Sequence, residues 1–137
     1  MLQKTIQFLR DSKIFYVATV ESGKPRVRPF GLVLEWDGKL YFGTANTKAV
    51  YRQLQACPDV EISATSPQME WIRLSGKAVF DGNKAAKEKA FEVMPDLGNL
   101  YKDGPNDPTF EVFYLDEARV TFYSFASYGS IPETHCF

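Results

Sequence analysis

Histidine and cysteine are scarce in this sequence, and their scarcity argues against several kinds of site. The 137 residues include one histidine and two cysteines. His135 is the only imidazole base and lies near the end of the chain, which disfavours a Ser-His-Asp or Cys-His catalytic arrangement. Cys57 and Cys136 match no zinc-binding spacing, and nothing in the sequence pairs them. We therefore expect no metal site and, if the chain is an enzyme, chemistry supplied by a cofactor.

Long apolar runs and a basic excess are also missing. No uncharged apolar run approaches the roughly 20 residues that a membrane-spanning helix needs, and residues 1–10 (MLQKTIQFLR) lack the continuous apolar stretch of a signal peptide. The formal net charge is -1 and the pI is about 5.8, whereas nucleic-acid-binding surfaces normally carry a basic excess. These features predict a cytoplasmic protein without membrane or nucleic-acid partners.

Apolar residues make up 45% of the chain and aromatic residues 15%, which predicts one globular domain over residues 1–137. Because several connections are tight turns such as Asp37-Gly38, we expect a small antiparallel barrel rather than a doubly wound parallel sheet. Residues 127–137 are expected to form a loose tail. The predicted strands are 14–20, 25–36, 39–43, 60–65, 69–80, 110–115 and 118–126. The predicted helices are 2–11, 83–93 and a segment between them, which Asn46 or Thr47 caps and which ends at Cys57-Pro58.

The first candidate ligand-binding segment is Arg26-Val27-Arg28-Pro29-Phe30. Side chains alternate along a strand, so Arg26 and Arg28 should share one face while Val27 faces the core. Guanidinium groups can bind phosphate with two hydrogen bonds, although an Arg-x-Arg pattern is more often a solvated face. Pro29 cannot donate to a sheet, which favours an edge or a place where a ligand meets the backbone.

The second candidate segment, Thr44 to Lys48, lies where a strand gives way to a helix. The N-terminus of a helix has unpaired N–H groups and a partial positive charge, and both favour an anion. The helix dipole disfavours a lysine in the first turn, so Lys48 is easier to explain beside a phosphate. Ordinary capping by Asn46 or Thr47, with Lys48 in solvent, is an equally good interpretation of this segment alone.

A third segment, Met69-Glu70-Trp71-Ile72-Arg73, places Trp71 and Arg73 on one face of a long strand. This pair could flank a flat ring system, although packing in a core or an interface is the more common role of such residues.

Several segments, in this order along nearly the whole chain, resemble the pyridoxamine 5′-phosphate oxidase-like, FMN-binding split-barrel superfamily. They are FYVATVESGKPRVRPFG (15–31), DGKLYFGTANTKAVYRQL (37–54), WIRLSGKAVF (71–80), FEVFYL (110–115) and VTFYSF (120–125). In length the chain is similar to the small nitroimidazole-resistance-like branch, whose mid-chain histidine it lacks. The tail SYGSIPETHCF has no counterpart of the arginine- and histidine-bearing segment that ends the true oxidases.

The resemblance implies a mainly β fold with short helices, a six-stranded antiparallel split β-barrel that forms a homodimer and holds FMN between its subunits. It also implies positions for the cofactor. Arg26, Val27, Arg28, Pro29 and Phe30 would line the flavin, Thr44, Asn46, Thr47 and Lys48 would hold its phosphate, and Trp71 and Arg73 would approach from the facing subunit.

The leading hypothesis for function is an FMN-dependent oxidoreductase that accepts electrons from NADH or NADPH, with an unknown substrate and unknown catalytic residues. The alternative is a non-enzymatic protein that binds or stores flavin or haem, because no catalytic acid or base is recognisable among the candidate residues. Single-stranded nucleic-acid binding by a small barrel is a third possibility, favoured by the aromatic residues and arginines and disfavoured by the acidic pI.

Overall fold

The computed structural model describes residues 1–137. The helices are α1 (Leu2–Ser12), α2 (Ala49–Ala56) and α3 (Lys84–Val93), and the strands are β1 (Phe15–Glu21), β2 (Lys24–Phe30), β3 (Val33–Trp36), β4 (Lys39–Ala45), β5 (Asp59–Thr65), β6 (Glu70–Phe80), β7 (Phe110–Ser124) and β8 (Thr134–Cys136). Short 3₁₀ turns follow α3 at Pro95–Asn99 and Gly104–Asn106, and β7 at Phe125–Ser127. None of the helices combines the length and the apolar character required to cross a membrane.

The strands form one curved sheet in the order β2-β1-β5-β6-β7-β4-β3, with β8 paired to β7. Every pairing is antiparallel. Strands β2 and β3 are joined by only Gly31 and Leu32, yet they lie at opposite ends of this order and do not pair with each other. The barrel is therefore open between β2 and β3, and we call this gap the seam.

The mainly antiparallel β fold predicted from the sequence is confirmed, but the strand count is not six. The segment predicted as one strand, 25–36, is two strands, because the chain must cross the seam at Gly31 and Leu32. The two strands predicted over 110–126 are a single strand, β7, in which Glu117 takes a φ of 51°. The tail predicted as loose ends in a paired strand, β8.

A β-bulge in β7 accounts for this irregularity, because Glu117 and Ala118 lie opposite the single residue Gly76 of β6. The register between β6 and β7 shifts between Ser75 and Lys77, opposite Asp116 to Arg119. A Cβ atom at Gly76 would lie 2.9 Å from the Asp116 carbonyl oxygen, so only glycine fits this close approach.

Two apolar clusters stabilise the fold. The larger one contains 19 buried residues, among them Phe15, Phe42 and Phe113, and fills the barrel beneath α1 and α2. The smaller one contains 10 buried residues and packs α3 and its following turn against the outer side of β3, β4 and β7. This second cluster positions residues 94–101 beside the seam.

Candidate functional site

A cavity of about 210 Å³ opens at the seam, and we call it the seam cavity. It lies where the β2–β3 connection, the end of β4, the start of α2 and the turn after α3 meet. Its lining residues are Arg28, Pro29, Phe30, Gly31, Leu32, Gly43, Thr44, Lys48, Val50, Met94, Leu97, Leu100, Tyr101 and Phe110. The fold therefore brings five of the predicted cofactor residues to one cavity: Arg28, Pro29, Phe30, Thr44 and Lys48.

Thr44 is the most informative residue in this lining. It is 3% exposed, and its hydroxyl is the one buried side-chain oxygen or nitrogen in the protein without a hydrogen-bond partner. Leaving such a group unpaired costs about 1–3 kcal/mol, so native proteins rarely do so without a functional reason. A hydroxyl of this kind, on a residue that lines a cavity, is suited to a polar ligand.

Gly43 precedes Thr44 and fixes the local packing of β4. A Cβ atom at this position would lie 2.7 Å from the Leu32 side chain and 3.0 Å from the Phe110 ring. Glycine therefore lets Leu32, from the β2–β3 connection, and Phe110, from β7, pack directly against the strand that carries Thr44.

At the start of α2, no side chain competes with an anion for the free N–H groups of the helix. The N-cap residue is Lys48, with an extended backbone, and no side chain caps the helix or places an acidic group in its first turn. The prediction that Asn46 or Thr47 caps α2 is wrong. The Asn46 amide instead donates to the Pro108 carbonyl oxygen at 2.8 Å and to the Glu111 carboxylate at 3.1 Å.

Lys48 makes no ion pair, and its side chain is exposed beside the cavity. Together with the unpaired N–H groups at the start of α2 and the Thr44 hydroxyl, it forms a positively polarised end to the seam cavity. This combination of donors suits a phosphate group.

Arg28 lies on the cavity wall but is held from within the barrel. Its Nη1 donates to the Val17 carbonyl oxygen at 3.0 Å and to the Thr19 hydroxyl at 2.8 Å, and its Nη2 donates to Oε1 of Gln53. Burial lowers the pKa of Arg28 from its usual value. None of these partners is charged, so the guanidinium contributes a positive charge to the wall.

The other residues predicted in this strand lie elsewhere. Arg26 is exposed, donates only to the Pro25 carbonyl oxygen and does not line the cavity. Val27 is 66% exposed on the outer face of the sheet, so the prediction that it faces the core is wrong. The reason is that Phe30, two residues after Arg28, packs into the core and turns the arginine face inward.

Thr47 and Asn46 also lie outside the lining of the seam cavity.

Trp71 and Arg73 lie on the outer face of β6. The Trp71 ring stacks on Tyr123, with ring centres 5.3 Å apart and planes 4° apart. Arg73 forms an ion pair with Glu61 at 2.9 Å, and its hydrogen bond to that carboxylate raises the pKa of Arg73.

Sequence reasoning missed the apolar wall of the cavity, which comes from the turn after α3 and the start of β7. Its members are Met94, Leu97, Leu100, Tyr101 and Phe110. Leu100 is 73% exposed although it lines the cavity, and burial is the larger cause of the raised pKa of Tyr101, with Asp107 adding to it. The one local signal was the apolar spacing of Leu97, Leu100 and Tyr101, which does not by itself indicate that they reach a cavity.

A wider depression of about 500 Å³ adjoins the seam cavity and shares Gly31 and Met94 with it. Arg10 and Lys13, at the end of α1, line its other side. No buried, unpartnered polar atom lies there, and this distinguishes the depression from the seam cavity.

The size of the seam cavity limits what one chain can enclose. Sites that bury a whole cofactor-sized molecule usually have volumes of about 300–1,000 Å³, and this cavity measures about 210 Å³. It can hold a phosphate group and the atoms next to it, and a larger ligand would extend beyond its mouth.

Comparisons with known proteins give matches over most of the chain. Residues 1–124 match the family described as pyridoxamine 5′-phosphate oxidase. A NimC/NimA family protein from Clostridium acetobutylicum is 38% identical, with a TM-score of 0.90 over 98% of this chain and 91% of that chain.

Two further structures share the fold at lower identity. A pyridoxamine 5′-phosphate oxidase-related, FMN-binding protein from Nostoc punctiforme is 17% identical, with a TM-score of 0.74 over 99% of this chain and 94% of that chain. A haem-binding protein from Mycobacterium smegmatis is 16% identical, with a TM-score of 0.73 over 94% of this chain and 55% of that chain. The comparison with curated proteins gives no match.

Proposed function

Because the chain belongs to the pyridoxamine 5′-phosphate oxidase family, we propose that it is an FMN-binding flavoprotein that acts as an oxidoreductase. The observation that carries the proposal is the buried, unpartnered Thr44 hydroxyl at the positively polarised end of the seam cavity. A dianionic phosphate on a neutral, ring-bearing molecule matches this end and the apolar wall opposite it.

In this proposal, Thr44 and Lys48 hold the FMN phosphate, helped by the N–H groups that begin α2. Arg28 adds positive charge from the cavity wall. The backbone at Pro29 and Phe30 faces the ring, and Leu100 and Tyr101 shield it from water on the opposite side. When bound, the flavin supplies the capacity to accept a hydride or electrons, so the protein needs to position it and exclude water.

We propose a homodimer because the seam cavity is smaller than FMN and the outer face of the sheet carries exposed apolar side chains. Tyr16 is 54% exposed and Val27 is 66% exposed, and the strand register places both on the same face as Trp71 and Arg73. A partner on this face would bury these apolar side chains, and Trp71 and Arg73 of that partner would complete the flavin site. Sedimentation of the purified protein tests the dimer directly.

The proposed electron donor is NADH or NADPH. Purified protein should have a flavin absorption spectrum, and denaturation should release FMN. Anaerobic mixing with NADH or NADPH should then bleach the bound flavin within the dead time of manual mixing. Absence of FMN binding at saturating concentration would refute the proposal, whereas binding without reduction would favour flavin storage.

Haem is the second candidate ligand, since a haem-binding protein shares the fold. A haem site usually supplies histidine, cysteine, methionine or tyrosine to the iron. In the seam cavity, only Met94 and Tyr101 are of these types, and neither histidine nor cysteine lines it. Titration with haem should therefore produce no shift of the haem Soret absorption band. Tight binding with a shifted Soret band would favour haem over FMN as the ligand.

A further inference from the structure

Gln53 is a buried polar residue whose side-chain amide forms hydrogen bonds through both its oxygen and its nitrogen. It lies on the inward side of α2 and is 5% exposed. Its Oε1 accepts hydrogen bonds from the Thr19 hydroxyl and from Arg28, and its Nε2 donates to the Glu21 carboxylate. The amide thus connects the arginine on the cavity wall to a carboxylate on the β1–β2 hairpin.

The positive charge of Arg28 has no directly bonded acidic partner in this network. Arg28 contacts a carbonyl oxygen, a hydroxyl and an amide oxygen, and no carboxylate lies within ion-pair distance of it. The nearest acidic partner in the network, Glu21, bonds to the far end of the Gln53 amide instead. A glutamate at position 53 would have nearly the same shape but would neutralise the arginine.

We propose that Gln53 is a positioning residue that holds the Arg28 guanidinium on the wall of the seam cavity without cancelling its charge. The uncancelled charge then favours the phosphate of the cofactor, so the inference rests on the proposed function. Because charge–charge attraction inside a protein is much stronger than in water, exchanging the neutral amide for a carboxylate should weaken phosphate binding specifically.

The test exchanges the two side chains in the double variant Glu21→Gln/Gln53→Glu. Each hydrogen bond of the network can persist, since the amide introduced at position 21 can donate to the carboxylate introduced at position 53. The net charge of the chain is also unchanged. The only electrostatic difference is that a negative charge moves from the hairpin to the immediate neighbour of Arg28.

The matched control is Glu21→Gln/Gln55→Glu. Gln55 is exposed on the same helix, so this variant has the same composition and net charge, with the moved carboxylate in solvent. Circular dichroism and urea unfolding confirm that each variant folds. The readout is the dissociation constant for FMN and for riboflavin, which lacks the phosphate.

In the exchange variant, we expect the dissociation constant for FMN to rise about tenfold or more, with less than about a twofold change for riboflavin. The control should change neither constant by more than about twofold. Equal weakening of FMN and riboflavin would show that Gln53 has a structural role only, and unchanged FMN affinity would also overturn the inference. Wild-type protein that binds neither flavin would instead refute the proposed function, and the inference with it.

Discussion

Replacing Thr44 with valine should change stability and ligand binding in opposite directions. In the ligand-free protein the Thr44 hydroxyl is buried without a partner, and such a group costs about 1–3 kcal/mol. Valine has nearly the same shape and no polar atom. The variant Thr44→Val should therefore raise the free energy of unfolding of the ligand-free protein by about 1 kcal/mol, or about 4 °C in Tm for a chain of this size.

The same change should weaken FMN binding. A hydrogen bond to a charged group contributes about 1.5–3 kcal/mol, so the dissociation constant for FMN should rise about tenfold or more. Urea unfolding of the ligand-free protein measures the first effect, and quenching of flavin fluorescence measures the second.

Thr121 provides the matched control, since it is 8% exposed and its hydroxyl is paired with Thr134 at 2.8 Å. Thr121→Val removes a satisfied hydroxyl that does not line the seam cavity, and it should destabilise the ligand-free protein by about 0.5–1.5 kcal/mol. If Thr44→Val destabilises the protein as Thr121→Val does, the Thr44 hydroxyl has a partner in solution and the reasoning is wrong. Unchanged FMN affinity in Thr44→Val would remove this hydroxyl from the site.

Three other predictions concern binding, packing and pH. Lys48→Ala should leave the unfolding free energy nearly unchanged and weaken FMN by about 1.5–3 kcal/mol with no effect on riboflavin; equal losses for both flavins would exclude a phosphate contact. Gly43→Ala should lower the unfolding free energy by about 1–3 kcal/mol in a urea titration, because its Cβ would lie 2.7 Å from the Leu32 side chain; an unchanged midpoint would contradict this. Hydrogen bonds from Thr109 lower the pKa of Asp107 below 3.8, so its stabilising contribution is present above pH 3.8 and is lost as the pH falls through the folded-state pKa. The loss of unfolding free energy at acid pH should therefore be smaller in Asp107→Asn than in the wild type. The same pH dependence of the unfolding free energy in both proteins would refute this prediction.

The sequence indicates the polar residues Arg28, Thr44 and Lys48 of the seam cavity because they lie in two short local patterns. Thr44 and Lys48 are close to a strand–helix junction, and Arg28, Pro29 and Phe30 follow each other in one strand. The two segments are joined through one hairpin, so their proximity depends on few contacts. Local pattern and family resemblance therefore gave the same residues.

The parts that failed depend on contacts between residues distant in the sequence. Asn46 has the chemistry of a helix cap, but Pro108 and Glu111 bind its amide from 62 and 65 residues away. Side-chain alternation with an outward Arg28 predicts an inward Val27, but Phe30 packs in the core and sets the opposite face inward.

The apolar wall could not be derived for a similar reason. Leu97 and Tyr101 reach the seam cavity only because α3 packs on the outer side of the barrel, which no local pattern indicates. The partners of Arg28 also lie up to 25 residues away from it.

Pro25 and Pro29 disfavour backbone pairing of β2 with β3 across the seam or with a strand of another chain. Strand β2 is a terminal strand of the sheet, with β1 as its sole neighbour. Proline has no amide hydrogen, and sheets tolerate it where that side of the strand faces outward. Two prolines four residues apart leave the border of β2 short of two donors on the same side, so it is a poor template for strand addition. The opening can thus stay available to a small molecule without inviting amyloid-like association.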